Sequence, residues 1–423
     1  MEQKAESQDI VFKGKWNIRY LILWFMVAIY PLIVIPYQLP RDLEIIAPVS
    51  YFYAPRYVVL MIVTFIALML LLKDRVRINH PAALPLGFFF LFAMLATILA
   101  PVKETAWFGL PARYTGFSTY FCCIILFILA TQTEQDDRLL KSAVWCGVIV
   151  SILALLQFFG LNLVPHEPFR DRLVSYGTMG NPNFLGTYTA FLLPAAILLY
   201  IYTKKRSWLI ATSCIYGGML VSLTRGVWMA AFLGFLIIVW HCIKKRDFKK
   251  PLTNVIIAFM IVTAVLAPFH SGMILTRSAS IEGELEKGIK LEESAGSSRM
   301  LIWRETIKLL PDNWMFGIGP DHLLYYGAFF SGKTADKAHN IYLEIAVTMG
   351  VFTLLAYLAF LSVFMRPQKS KKGFLFFVMI STYLVQGFFN IDVVMVMPVF
   401  WIILGLALDY MTPQQNLQRS NEE

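Results

Sequence analysis

The run RYVVLMIVTFIALMLLL at 56–72, closed by Lys73-Asp74-Arg75-Val76-Arg77, decides the fold class. After Arg56 no charged side chain appears until Lys73, and a helix rising 1.5 Å per residue over such a run approaches the roughly 30 Å thickness of a hydrocarbon core. Runs of the same kind recur outward from it, at 20–37, 84–100, 117–131, 140–159, 183–202, 207–223, 226–242, 252–268, 341–365, 373–389 and 393–410. With 58% hydrophobic residues the chain reads as an all-α polytopic membrane protein of twelve spans, since lipid demands that each segment satisfy its own backbone. The reading divides it into nine spans over 1–268, one large extracytoplasmic loop over 269–340, and three spans with a tail over 341–423.

The basic residues orient the spans. They collect at Lys4 to Arg19, Lys73 to Arg77, Lys204 to Arg206, Lys244 to Lys250 and Arg366 to Lys372, all on one side if the N-terminus is cytoplasmic. Both termini are therefore expected inside, and the net charge of +10 belongs to the anionic inner leaflet with no nucleic acid implied. Met1 to Arg19 lacks a signal-peptide cleavage pattern, so the first span is expected to stay as an anchor. Cys122, Cys123, Cys146, Cys214 and Cys242 fall within or beside spans, which argues against an outer disulfide framework and against a zinc site.

The outer face has its own chemistry. Its short loops carry Arg41, Arg56, Arg113, Arg170, Arg172 and Arg225 against one lysine, Lys103, and the large loop adds Arg277, Arg299 and Arg304. Arginine offers a planar fork of donors that grips an oxyanion through paired hydrogen bonds. Arg41 and Arg56 read most simply as headgroup contacts. Arg225, in Leu223-Thr224-Arg225-Gly226 between two spans, has almost no loop to carry it into water, and a charge so placed faces a polar cavity and a partner.

Within the large loop, Glu282-Gly283-Glu284-Leu285-Glu286-Lys287 reads as a solvated face. Ser298 is expected to cap a helix in which Met300, Leu301, Ile307 and Leu310 bracket Trp303, an amphipathic pattern suited to the membrane surface. Arg299 would open that helix, near amide N–H groups that also favour anions. Phe316-Gly317-Ile318-Gly319-Pro320-Asp321-His322 reads as a glycine-rich turn leading to Ala338-His339-Asn340, where loop meets helix. Asn181-Pro182-Asn183 reads as a helix cap.

Together Gly177 to Asn183, Leu223-Thr224-Arg225-Gly226, Ser298-Arg299 with Trp303, Phe316 to Pro320, and Ala338-His339-Asn340 with Tyr342-Leu343 and Gly350 resemble the O-antigen ligase and Wzy-type polymerase superfamily over about residues 170–360. Thr224 stands where that family often has serine. The resemblance implies a membrane glycosyltransferase of a bacterial inner membrane. It would move a glycan from undecaprenyl diphosphate to an acceptor hydroxyl of a glycan, lipid or protein, on the extracytoplasmic face, without metal or other cofactor. Arg225 and Arg299 match the arginines that hold the donor diphosphate, and His339 matches the essential histidine. The chemistry agrees: arginines make diphosphate a good leaving group, and a neutral histidine can take the acceptor's proton. Arg172, Glu344, His322 and Arg113 are secondary candidates, Glu344 either as a partner of His339 or as an acid facing the cavity.

Two other classes compete. Twelve spans also suit a transporter or lipid-linked glycan flippase, although the halves lack similarity and intramembrane acids are scarce. A cell-shape glycosyltransferase using the same donor would lean on an acidic catalytic residue.

Overall fold

A computed structural model describes residues 17–35, 52–74, 76, 80–111, 113–133, 137–165, 174–290, 292–326, 329–330, 333–366, 368 and 370–411. Its α-helices are α1 (Ile18–Ala28), α2 (Ala54–Lys73), α3 (Ala83–Leu99), α4 (Lys103–Phe108), α5 (Phe117–Thr131), α6 (Asp137–Phe158), α7 (Pro182–Thr203), α8 (Arg206–Val221) and α9 (Arg225–Ile243). They continue with α10 (Arg246–Leu266), α11 (Met273–Ile289), α12 (Ala295–Ile307), α13 (Leu310–Asn313), α14 (Ile341–Met349), α15 (Val351–Ser362), α16 (Lys371–Gly387) and α17 (Met397–Ala407). Five of them, α2, α6, α7, α9 and α10, are long and apolar enough to cross a membrane, and shorter apolar helices accompany them. The architecture is helical and polytopic. The departure among the described residues is a two-residue antiparallel ladder, Phe329–Phe330 with Lys333–Thr334.

Apolarity on every side sends a helix to the centre. The hydrophobic window of α7 is wholly buried, and α6, α8, α9 and α16 pack around it. Its start is cut sharply by Asn181, whose side chain accepts the Asn183 N–H, with Pro182 at the first helical position. A second buried helix, α17, lies on α5, and its Trp401 stacks on Phe360 of α15 at 5.4 Å with Phe127 of α5 edge-on at 6.3 Å. By contrast α10 turns Ile257, Met260, Ile261 and Val265 outward, as a lipid-facing helix does.

Arg56 corrects an expectation. It does not reach for headgroups: it is fully buried, and its guanidinium donates to the carbonyls of Tyr30, Pro31, Phe52 and Thr178. A permanent cation at that depth needs acceptors, and the turns after α1, ahead of α2 and ahead of α7 supply them. Arg41, Arg170 and Arg172 lie outside the described residues.

The expected span at 341–365 is broken. Gly350, with φ 90°, separates α14 from α15. The break leaves backbone groups of α14 and α15 open, and the long loop fills them: Ile318 N–H donates to the Val347 carbonyl at 3.0 Å, Gly319 N–H to Thr348 at 2.9 Å, and Val351 N–H to Trp314 at 2.8 Å. The contact is so close that a Cβ on Gly350 would lie 2.2 Å from the Met315 carbonyl oxygen, and one on Gly317 would lie 2.3 Å from the Thr348 carbonyl carbon. The glycines read as turn formers are thus also docking residues.

Gly350→Ala is expected to lower the thermal midpoint of the detergent-solubilised protein, because its backbone, at φ 90° and ψ 161°, lies in a region almost confined to glycine that costs about 1–3 kcal/mol otherwise, and the collision adds to it. Gly283→Ala, on a helix with nothing within 4 Å of the new methyl, should leave the midpoint unchanged or raise it. Equal midpoints for Gly350→Ala and wild type would show that the loop is not held at this break.

Candidate active site

Arg225 opens α9 after a tight turn in which Leu223 has φ 53°. The Thr224 hydroxyl donates to the Ser222 carbonyl and to Asn183 Oδ1, tying this turn to the start of α7. The Arg225 guanidinium reaches into the loop helices: Nη1 donates to Ser280 Oγ at 3.0 Å and pairs with Glu284 Oε1 at 3.1 Å, while Nη2 donates to Ser297 Oγ at 3.0 Å. Arg277 of α11 donates through Nε to the Leu223 carbonyl at 3.3 Å.

Ser298 does not cap α12. Gly296, Ser297 and Ser298 are all left-handed, with φ 62°, 60° and 67°, whereas a capping serine needs extended backbone. The left-handed run instead turns the Gly296 N–H onto Glu284 Oε2 at 2.7 Å, in the kind of backbone concavity that binds anions. Glu284, expected on a solvated face, is therefore the internal counter-anion of an arginine cluster. Burial opposes its ionisation, but the Gly296 N–H and the Arg225 and Lys287 charges outweigh burial and hold the carboxyl below its ordinary range. Arg299, half-buried, is lowered to about 10 by burial and by repulsion from Arg225 and Arg277, so it stays charged at neutral pH. Three cations around one carboxylate leave an excess of positive charge that a second anion can satisfy.

Cavities open on both sides of Arg225. One of about 310 Å³ lies between Arg225, Glu284, Arg299, Trp303 and Phe389. It shares Met229, Ile281 and Leu285 with an apolar cavity of about 570 Å³ walled by α8, α9 and α10 through side chains such as Tyr216, Phe235 and Phe259. The other side is of mixed character: a cavity of about 830 Å³ where Asn183, Thr224, Thr276, Arg277 and Ser280 stand among apolar side chains such as Val174, Leu223 and Met273.

His339 sits in the segment that enters α14. Trp303 of α12 donates to the Ala338 carbonyl at 3.0 Å, which joins the arginine helix to the histidine segment. His339 itself has φ 52°, and its Nδ1 is buried with no hydrogen-bond partner among the described residues. Burial, then the positive charge of Arg299, partly opposed by Asp336, lowers its pKa to about 4. The imidazole is neutral at physiological pH, with a lone pair available.

Arg113 pairs with Asp336 at 2.8 Å and lies over the Phe184 ring, 5.8 Å from its centroid. Glu344 does not face an open cavity: its Oε1 is 3.0 Å from Lys337 Nζ and its Oε2 accepts the Ala338 N–H at 2.8 Å. His322 has both ring nitrogens engaged. Its Nε2 accepts the Val102 N–H at 3.2 Å, so Nδ1 is the protonated nitrogen and donates to the Pro320 carbonyl at 2.8 Å. Arg172 lies outside the described residues. Sequence reasoning passed over Glu284, Asp321, Asp336 and Lys337; the one local signal was the charged pair Asp336-Lys337 directly ahead of Ala338-His339.

Residues 209–358 match a protein family described as O-antigen ligase. The matched segment contains Arg225, Arg277, Glu284, Arg299 and His339, and it runs from within α8 to within α15. The match covers less than half of the 423-residue chain, so that segment is similar to the family, while the helices named above are long and apolar enough to cross a membrane. A comparison with curated proteins finds no match.

If Glu284 occupies part of an anion site, Glu284→Gln should raise the affinity of the detergent-solubilised protein for inorganic pyrophosphate, read by calorimetry. Arg225→Lys and Arg299→Lys should weaken it, since lysine keeps the charge but loses the fork. Unchanged affinity in all three variants would remove the anion site.

Proposed function

We propose, from the premise that an O-antigen ligase-type segment carries the chemistry, that the protein transfers a glycan from undecaprenyl diphosphate to an acceptor hydroxyl on the extracytoplasmic face. The observation that carries the reading is the arginine cluster around Glu284, whose cavity shares Met229, Ile281 and Leu285 with an apolar cavity walled by α8, α9 and α10. That pairing suits an amphiphile with a diphosphate head and a hydrocarbon chain. The hydroxyls, amides and Arg277 on the cavity across Arg225 suit a hydroxyl-rich glycan.

Arg225 and Arg299 hold the diphosphate. His339, neutral, accepts the proton of the acceptor hydroxyl as the oxygen attacks the anomeric carbon from the face opposite the diphosphate. The bond from that carbon to the phosphate oxygen breaks, its electron pair leaves with the diphosphate, and the anomeric configuration inverts. The arginines counter the charge that develops on the leaving group, the task a metal ion would otherwise perform. Bound diphosphate also offsets the positive charge of Arg299 that depresses His339, so the histidine becomes a stronger base once the donor is in place.

The purified protein, given a polyprenyl-diphosphate glycan and an acceptor in detergent, is expected to form an inverted glycosidic product whether or not chelator is present. His339→Gln should lose about 10²–10⁴ in rate. Since the base must be unprotonated, kcat/KM should fall only as pH drops through about 4, well below the ordinary histidine range. A process confined to sealed vesicles with an ion gradient would refute the reading in favour of transport, and near-normal turnover in His339→Gln would remove His339 as the base.

The orientation proposed here puts 269–340 outside and both termini inside. In a background without the native cysteines, Ser294→Cys should react with an impermeant maleimide from outside and Lys371→Cys should not. The reverse pattern would invert the protein in the membrane.

A further inference from the structure

We propose that Lys337, Asp321 and Glu344 form a positioning cradle for His339, completed by the loop between α4 and α5. The inference rests on His339 being the base. Lys337 is 2% exposed, and its ammonium lies 2.6 Å from Asp321 Oδ1 and 3.0 Å from Glu344 Oε1. A buried cation between two carboxylates is poor evidence for stability, because desolvation offsets much of the attraction. The fold has other means to hold this region: Asn340 caps α14 by accepting the Tyr342 and Leu343 N–H groups, and Ile318 and Gly319 dock the loop.

What the cradle controls is the backbone next to the imidazole. Asp336 is gripped by Arg113, Lys337 by Asp321 and Glu344, and Ala338 by Glu344 at its N–H and Trp303 at its carbonyl. His339 follows in a left-handed conformation that a residue with a Cβ adopts only when its surroundings impose it. A general base is commonly oriented by a third group on its second ring nitrogen. Here Nδ1 has no such partner among the described residues, so the aim of the ring is set through the chain that carries it. The loop between α4 and α5, ahead of the matched segment, closes the cradle: the Leu110 N–H donates to Asp321 Oδ2 at 2.7 Å, and a Cβ on Gly109 would lie 2.8 Å from the same oxygen.

Lys337→Met and Glu344→Gln, each made in the wild-type and His339→Gln backgrounds, test the cradle by kcat and donor KM. In the wild-type background each is expected to lower kcat about tenfold to a hundredfold, the scale of a misplaced catalytic group, with donor KM unchanged. In the His339→Gln background neither should lower the residual rate further, because a group that acts through His339 has nothing left to position. Should Lys337→Met fail to accumulate in membranes, Glu344→Gln, which leaves Lys337 paired with Asp321, decides alone. Wild-type kcat in Glu344→Gln, an equal further loss on the His339→Gln background, or an effect carried by KM would each overturn the cradle while leaving His339 as the base. No transfer by the wild-type protein from any polyprenyl-diphosphate glycan would overturn the base assignment and the cradle with it.

Discussion

The helix break at Gly350 is the constraint on which the region around the arginines and His339 depends. Backbone groups cannot be left unpaired at membrane depth, so interrupting a span obliges another segment to pair with the groups it exposes. The segment from Trp314 to Gly319 does so, bonding to Val347, Thr348 and Val351. Once that stretch is fixed, Asp321 and His322 follow within three residues, and they in turn hold Lys337, Leu110 and Val102. The unbroken span that hydropathy suggests would have left the loop without this anchor.

Two neighbouring electrostatic environments result. Arg225, Arg277 and Arg299 share one carboxylate, and their mutual repulsion favours any anion that enters. The histidine lies just beyond, where burial and the same positive charge keep the imidazole neutral. In the proposed reaction each environment serves the other: the cations that would bind the leaving group also keep the nearby imidazole unprotonated, and the bound anion would relax that effect. Trp303 joins the two physically, since it comes from the helix that carries Arg299 and bonds to the residue before His339.

The membrane-embedded part is built for a different purpose. Its central helix is apolar and hidden, and its aromatic clusters lock α3, α5, α15 and α17 together. Arg56, a buried cation among these helices, is satisfied by carbonyls of Tyr30, Pro31, Phe52 and Thr178. Rigid helices beneath and bonded loops above are what allow side chains far apart in the chain to converge.

Local chemistry was legible in the sequence wherever neighbours along the chain decide the outcome. Apolar runs announced helices in a membrane, Asn181-Pro182-Asn183 announced a helix start, and Arg225, Arg299 and His339 stood out because each lies beside a short motif. What hydropathy and motif could not reveal were partnerships between distant residues: Glu284 with Arg225, Asp321 with Lys337, Arg113 with Asp336, Leu110 with Asp321. An acidic stretch on an amphipathic helix looks solvated until a cation 59 positions away is folded onto it. The same holds for Ser298, whose capping role was lost to three left-handed residues, and for Arg56, whose environment is assembled from three separate turns. Periodicity records which face of a segment is buried, but the energy of a charge depends on what stands within a few ångströms in space, and only the tertiary structure decides that.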